Sequence, residues 1–286
     1  MLAYVFPGQG SQKKGMGAEL FNKYPLYVEL ADNILGYSIQ ELCLEDPENK
    51  LNSTEFAQVA IFIVNSLTYL YYVDALGVQP DYVAGHSLGE YSALFAANVF
   101  DFETGLKLVK MRGYLMSKVT GGAMAAVLGM SRDQVEVICK KYKELSIEIA
   151  NYNTKTQTII SGDKKNIMKS REIFLSIEGV QFLPLNVSGA FHSSYMQVPK
   201  LEFEKYIFNF EFQKPEIPII ANLTAKEYEE NKVAEYLVEQ ISSPVKWEDT
   251  IIYLLEQGVN QFIELGQGLT LTKMIETTQE KGIHGK

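Results

Sequence analysis

The stretch Asp81-Tyr82-Val83-Ala84-Gly85-His86-Ser87-Leu88-Gly89 decides how this chain reads. Residues 81–85 follow the breakers Gly77 and Pro80, and the Tyr82-Val83 pair is β-prone, so a strand is expected there. Residues 88–98 are rich in Ala and Leu and read as a helix. Between them, Gly85-His86-Ser87-Leu88-Gly89 fits Gly-x-Ser-x-Gly in the strand-turn-helix context that gives the pattern meaning. A serine on so tight a turn sits in strained backbone geometry, and small residues two positions to either side let the turn close. The helix N-terminus then offers backbone N–H groups and a positive dipole end to a developing oxyanion. Ser87 is the candidate nucleophile; an N-cap serine at an ordinary βα turn is the bland alternative.

Working outward, residues 2–6 form an apolar run stopped by Pro7 and Gly8, a buried strand followed by a loop. Residues 24–35, 56–71 and 102–119 carry helical periodicity, the last ended by Gly121-Gly122. The texture then changes. Residues 123–129 read as a strand and 131–143 as a helix with Ser131 as N-cap. Strands at 147–152 and 156–161 flank the polar turn Asn153-Thr154-Lys155, and a helix over 163–177 leads to a short strand at 180–183. This β-α-β-β-α-β series is the ferredoxin-like pattern. After it, helices near 193–208, 232–241, 245–257 and 269–279 alternate with strands at 217–221 and 261–265. The expected fold is α/β: a discontinuous core of residues 1–122 and 188–286 around one parallel sheet, with an inserted ferredoxin-like subdomain at 123–187.

The 286 residues include 26 Lys+Arg and 35 Asp+Glu, a net charge of −9, with 47% apolar residues. A substantial core is possible, which excludes intrinsic disorder, and the acidic balance argues against general nucleic-acid binding. Cys43 and Cys139, with three histidines, are too few for a disulfide scaffold or a metal cluster. No unbroken apolar run approaches the roughly 18 residues of a membrane span. The start, MLAYVFPGQGSQ, has no charged n-region before an apolar stretch. A cytoplasmic protein without upstream linker or membrane partner is the default expectation, with a frayed tail at 281–286.

A serine nucleophile needs a base. His86 adjoins Ser87, and neighbouring side chains on a sharp turn point apart, so packing or a hydrogen bond to substrate suits it better. His284 falls in the tail. Elimination leaves His192, in the small-residue loop Ser188-Gly189-Ala190-Phe191-His192-Ser193-Ser194, unless it is a buried structural histidine. The first loop, Gly8-Gln9-Gly10-Ser11-Gln12, also follows a strand, and its glycines let backbone approach a ligand. No Gly-Lys-Ser/Thr follows, so it is no P-loop. A backbone N–H from this loop could join that of Leu88 as an oxyanion donor.

Taken in order, several blocks resemble the malonyl-CoA:acyl carrier protein transacylases over residues 3–275. They are Phe6-Pro7-Gly8-Gln9-Gly10-Ser11-Gln12, Gly85-His86-Ser87-Leu88-Gly89-Glu90, Asn151-Tyr152-Asn153, Ala190-Phe191-His192-Ser193, Ser243-Pro244-Val245-Lys246-Trp247 and Phe262-Ile263-Glu264-Leu265-Gly266. The resemblance implies an α/β-hydrolase-like core with a ferredoxin-like subdomain, and a Ser87–His192 dyad whose histidine is oriented by the backbone carbonyl of Gln240. It implies oxyanion donors at the N–H groups of Gln9 and Leu88, and an acyl pocket containing Arg112 and Gln58, with Val59 where the family usually has Pro. A planar guanidinium grips a carboxylate through two parallel hydrogen bonds, so Arg112 points to a dicarboxylic acyl group; its bland alternative is an exposed helix arginine. Met116, one turn on, would wall the pocket or fill the core. Phe191 resembles the malonyl-selective form, since its ring would crowd an α-methyl group. Gly189 and Gln267 depart from the usual pattern.

The implied activity is transfer of malonyl from malonyl-CoA, through malonyl-Ser87, to the phosphopantetheine thiol of an acyl carrier protein, with no bound cofactor or metal. The segments Leu35-Gly36-Tyr37-Ser38-Ile39 and Ala190-Phe191-His192 lean toward a discrete acyltransferase serving polyketide synthesis in trans. The alternatives are a housekeeping fatty-acid transacylase and a hydrolase that clears acyl groups from carrier proteins; a non-catalytic docking subunit and a generic esterase rank below these. A monomer is expected. Because carrier proteins are acidic like this chain, docking calls for a local basic patch, with Lys13, Lys14, Lys155, Lys164 and Lys165 as candidates.

Overall fold

A computed structural model describes residues 1–283; His284 and the last two tail residues lie outside the described residues. The strands are β1 (Leu2–Phe6), β2 (Tyr82–Gly85), β3 (Gly122–Leu128), β4 (Glu148–Thr154), β5 (Gln157–Asp163), β6 (Gln181–Pro184), β7 (Ile219–Ile220), β8 (Val245–Lys246) and β9 (Gln261–Glu264). The helices are α1 (Ala18–Lys23), α2 (Pro25–Leu35), α3 (Ile39–Leu44), α4 (Thr54–Leu76), α5 (Gly89–Ala96), α6 (Phe102–Ser117), α7 (Arg132–Lys141), α8 (Lys164–Leu175), α9 (Gln197–Ile207), α10 (Val233–Gln240), α11 (Trp247–Glu256) and α12 (Thr270–Ile283).

Four strands make the larger sheet in the order β7-β2-β1-β9, every pairing parallel. A parallel sheet is buried on both faces, and the alternation of side chains along a strand shows how. Tyr4, Phe6 and Val83 join the large core that includes α4, α5 and α6. Ala3, Val5, Tyr82 and Ala84 face the other way, onto Trp247, Ile251 and Leu254 of α11 and Leu271 and Ile275 of α12. The order reverses at β1, which has β2 on one side and the last strand, β9, on the other. The C-terminal end of β1 therefore opens at a topological switch point, where ligands bind in open α/β sheets.

Helix α4 corrects one expectation. It runs 23 residues, with a mean hydropathy of 1.5 over its most apolar 18-residue window, so by length and composition it could cross a membrane. Here it is the central helix of the core, buried almost continuously from Thr54 to Leu67. Its polar members Gln58 and Asn65 break the apolar run in sequence and are hydrogen-bonded inside; Asn65 donates to the carbonyl of Pro7 at 3.0 Å.

The second sheet has the order β6-β3-β5-β4-β8, antiparallel throughout its first four strands. Val135 of α7 and Ile167 and Phe174 of α8 pack on Ala125, Val127, Ile160 and Phe182 of one face. Met124, Ala126 and Ile159 of the opposite face join the main core. Strand β4 runs two residues further than expected, so the turn falls at 155–156 and Asn153 belongs to β4; register shifts at Ile149/Asn151 and Tyr152/Thr154 hide the alternation that would have shown it. The expected helix from 245 also starts late. Val245 and Lys246 pair in parallel with Asn151 and Tyr152 before α11 begins at Trp247. Pro244 disfavours a helical start just upstream, and the Lys246 N–H donates to the Asn222 carbonyl at 3.1 Å. The two sheets are thus joined through β8, and Arg132 of α7 adds an ion pair to Asp249 of α11 at 2.7 Å. The six-residue helices α1 and α3 were too short for a periodicity reading.

Trp247 is fully buried at this junction, its ring 5.5 Å from that of His86. Trp247→Ala should cost about 3–5 kcal/mol, read as a lowered urea midpoint with the slope of the transition unchanged.

Candidate active site

Ser87 sits between β2 and α5 with φ of +52°, in the left-handed region that a β-carbon disfavours. Sterics and a splint hold it there. A β-carbon on Gly85 would lie 2.0 Å from the backbone of Gly89, and one on Gly89 would lie 2.0 Å from the Phe6 carbonyl oxygen. Only glycines let the elbow close on itself and on the end of β1. Asn222, just after β7, splints the turn from outside: its Oδ1 accepts from the Ser87 N–H at 2.7 Å and its Nδ2 donates to the Gly85 carbonyl at 2.6 Å.

His192 reaches the same point from the far end of the second-sheet segment. It too has a left-handed φ, +56°, in a loop pinned by the Ser193 hydroxyl donating to the Ala190 carbonyl at 2.6 Å. Its Nε2 lies 2.7 Å from Ser87 Oγ, and its Nδ1 lies 2.9 Å from the backbone carbonyl of Gln240. A carbonyl only accepts, so Nδ1 carries the proton and Nε2 presents its lone pair to the serine hydroxyl. Burial, then the nearby Arg112 cation, pull the imidazole from 6.5 down to about 3. The ring is neutral at physiological pH, as a proton acceptor must be. His86, in contrast, points away from Ser87: its Nε2 lies 2.9 Å from Asn153 Oδ1, and burial lowers its pKa.

Arg112 of α6 is only 1% exposed. Nη1 donates to Gln58 Oε1 at 2.8 Å, and Nη2 donates to Gln240 Oε1 at 2.9 Å and to Ser87 Oγ at 3.2 Å. Its carbon lies 5.6 Å from the Tyr91 ring centre, and Nε has no hydrogen-bond partner. Every direct acceptor is neutral, and no ion pair reaches this guanidinium among the described residues. A cation so deep is normally paired with an anion. Gln58 also turns its Nε2 toward Met116 Sδ at 3.6 Å.

These groups line a cavity of about 310 Å³. The first loop, Ser87, His192, Arg112, Gln58, Met116 and Phe191 form its core side, and Met124, Ala126, Asn153 and Ile159 of the second sheet close it. Gln9 lies in the lining, its side chain donating to Thr54 Oγ1 at 3.1 Å. The structure therefore brings together Ser87, His192, Gln240, Arg112, Gln58, Met116, Phe191 and the Gln9 loop. Sequence reading missed Asn222 and Asn153, and gave no role to Glu90 or Tyr228. Glu90 had a signal, as a lone acid in the wholly buried helix Gly89–Ala96. Among the described residues no group of three His, Cys, Asp or Glu side chains is placed to hold a metal ion.

Chemically the arrangement pairs a hydroxyl with a neutral base, beside an open cationic pocket. The buried imidazole has a consequence for stability. Between pH 6.5 and about 3 the unfolded chain takes up a proton at His192 that the folded chain refuses. The contribution is full above pH 6.5 and is lost as pH falls. Glu90, raised by burial from 4.5 to about 7, acts oppositely: its contribution is full below 4.5 and lost as pH rises to 7. Comparison with His192→Gln cancels the Glu90 effect. The stability of the native chain minus that of the variant, from urea unfolding, should rise between pH 4.5 and 6.5 and level off above.

The acyl transferase domain family model matches residues 3–285. The polyketide biosynthesis malonyl CoA-acyl carrier protein transacylase PksC of Bacillus subtilis (strain 168) is 50% identical over 276 residues, 96% of either chain. The polyketide biosynthesis protein PksE of the same organism is also 50% identical, over 96% of this chain, which spans only 36% of PksE. In three dimensions the malonyl CoA-acyl carrier protein transacylase of Burkholderia pseudomallei superposes with a TM-score of 0.95 at 44% identity, covering 98% of both chains. The malonyl-transacylase PlMCAT, solved with a type II PKS acyl-carrier protein, AntF, gives 0.92 at 32% identity, covering 98% of this chain and 93% of that one. With an elbow serine, a facing imidazole and this match along nearly its whole length, the chain belongs to the acyl transferase domain family.

Proposed function

We propose that the protein transfers a malonyl group from malonyl-CoA to the phosphopantetheine thiol of an acyl carrier protein, through a malonyl ester on Ser87. The observation that carries this reading is Arg112: a buried guanidinium whose hydrogen-bond acceptors are all neutral, 3.2 Å from Ser87 Oγ. A substrate carboxylate supplies the missing anion. The distance suits an acyl group whose carboxylate and thioester carbonyl are separated by one carbon. Phe191 and Met116 wall the pocket, and the Phe191 ring crowds the space an α-methyl would need.

In the first half-reaction His192 Nε2 takes the Ser87 proton as Oγ bonds to the thioester carbon. The N–H groups of Gln9 and Leu88 receive the oxyanion, each donor contributing about 10²–10³ in rate. The carbon–sulfur bond breaks, and His192 returns its proton to the departing coenzyme A thiolate. In the second half the carrier thiol gives its proton to His192 and attacks the ester, and Ser87 leaves with the proton. Protein groups suffice for each step.

The carrier protein in the PlMCAT complex and the name of PksC support this acceptor and lean the reading toward polyketide synthesis, with the fatty-acid pathway as the alternative. Lys13, Lys14, Lys155, Lys164 and Lys165 are all exposed and remain the docking candidates. The strand order β6-β3-β5-β4 supports a ferredoxin-like subdomain at 123–187, on an α/β-hydrolase-like core of 1–122 and 188–286.

Incubated with malonyl-CoA, the protein should gain one malonyl group by intact-mass spectrometry, and Ser87→Ala should gain none; an adduct on the variant would overturn the nucleophile. Arg112→Ala should lower kcat/KM for malonyl-CoA about 10- to 150-fold more than for acetyl-CoA, the worth of a charge-assisted contact. Equal losses would overturn the carboxylate clamp. Rapid release of free malonate without carrier protein would instead indicate a hydrolase.

A further inference from the structure

Gln240 touches every working part of the site. Its backbone carbonyl holds His192 Nδ1, and its side-chain Oε1 accepts from Arg112 Nη2. Its Nε2 donates to the Ser87 carbonyl at 2.9 Å and to Glu90 Oε2 at 2.5 Å. Arginine only donates, so the contact with Arg112 fixes which end of the amide is oxygen and turns the NH₂ end toward Glu90. Glu90 is 1% exposed, in the first turn of α5. Its other oxygen accepts from the Tyr228 hydroxyl at 2.5 Å and from the Asn222 N–H at 3.2 Å. Both oxygens thus face donors from three separate segments, the loop after β7, the segment before α10 and the end of α10.

We propose that Glu90 is the positioning residue of this site, holding Gln240, whose side chain seats Arg112 and whose backbone carbonyl seats His192. The inference rests on the acyltransfer reading above and deepens it. Glu90 contacts neither the imidazole nor the guanidinium among its hydrogen bonds. It acts by giving the amide's NH₂ end a carboxyl oxygen as acceptor, which keeps the Oε1 end on Arg112 and seats the residue whose backbone carbonyl holds His192. Without that acceptor only the Ser87 carbonyl holds the NH₂ end, and a reversed amide would set NH₂ against guanidinium. The arrangement also keeps a protein carboxylate one amide away from Arg112. The carboxyl of Glu90 acts on the guanidinium from a distance and does not cap it.

Glu90→Gln tests this, because it keeps shape but replaces one acceptor oxygen with a second donor. Two readouts separate the two branches. Labelling of Ser87 by a fluorophosphonate probe needs the dyad but no acyl-CoA, and it should slow about tenfold. The ratio of kcat/KM for malonyl-CoA to that for acetyl-CoA should fall by a further factor of about ten as Arg112 loses its seat. Folded fraction is followed by Trp247 fluorescence. Tyr228→Phe, which removes one donor from Glu90 and leaves the amide contact, should show both effects at about two- to fivefold and carries the test if Glu90→Gln does not fold. Unchanged labelling and an unchanged ratio in folded variant would overturn the proposal. So would a loss that matches the unfolded fraction and is equal for both thioesters, since that is what a purely structural residue produces. If the native protein is labelled normally but transfers no malonyl, the function above fails, while the labelling comparison still decides the role of Glu90.

Discussion

The guanidinium of Arg112 is a cation buried among neutral acceptors, and the rest of the site is organised around that imbalance. Three oxygens hold it, those of Gln58, Gln240 and Ser87, and none carries a formal charge. Neutral acceptors fix the plane of the group without cancelling its field. The field has a second target. It is one of the causes that, after burial, hold His192 far below its ordinary pKa. In the proposed reaction a substrate carboxylate on Arg112 offsets that field, and the imidazole proposed to take the serine proton regains part of its basicity. Substrate recognition and base strength are coupled through one positive charge.

Both members of the dyad stand in left-handed backbone conformations, which cost of order 1–3 kcal/mol each unless the surroundings impose them. The parallel sheet does so for Ser87, through the glycine contacts with the end of β1 and the Asn222 splint from the end of β7. For His192 the constraint comes from the other direction. The chain that supplies the Gln240 carbonyl continues through Pro244 into β8, which is the edge strand of the second sheet. Holding the base and joining the two sheets are therefore done by one short segment. The cavity wall built from Met124, Ala126 and Ile159 is kept in register with the dyad by the same pairing.

How much of this could be read from sequence depends on the range of the interaction involved. The elbow is local: Gly85, Ser87 and Gly89 sit within five residues, and their spacing states the steric requirement. The β-α-β-β-α-β run is also local, each element carrying its own periodicity, and its four strands share one sheet. His192 came from elimination among three histidines. Asn222 could not be found that way, since it lies 135 positions from the N–H it caps and occupies a two-residue strand's end with no pattern around it. The same holds for Tyr228 and for the side chain of Gln240, 138 and 150 positions from Glu90. The two-residue strands β7 and β8 exist only because a longer strand is already there to pair with.

The use of a carbonyl to orient His192, where many serine enzymes use an acid, follows from the position of Arg112. Gln240 is in contact with Nδ1 of the imidazole and with Nη2 of the guanidinium at once. A carboxylate in that place would be within reach of both, and in a buried setting it would pair with the arginine first, because that cation is permanent and the imidazole is neutral. The pair would close the pocket to any anionic substrate and leave the base without its orienting partner. A backbone carbonyl cannot neutralise the arginine, and the amide of the same residue is a weaker competitor than a substrate carboxylate. The buried acid Glu90 is held on the far side of that amide by Tyr228 and Asn222. An acyltransfer site that selects by charge must keep its own carboxylates from reaching its own cation, and in this fold one glutamine serves as the spacer.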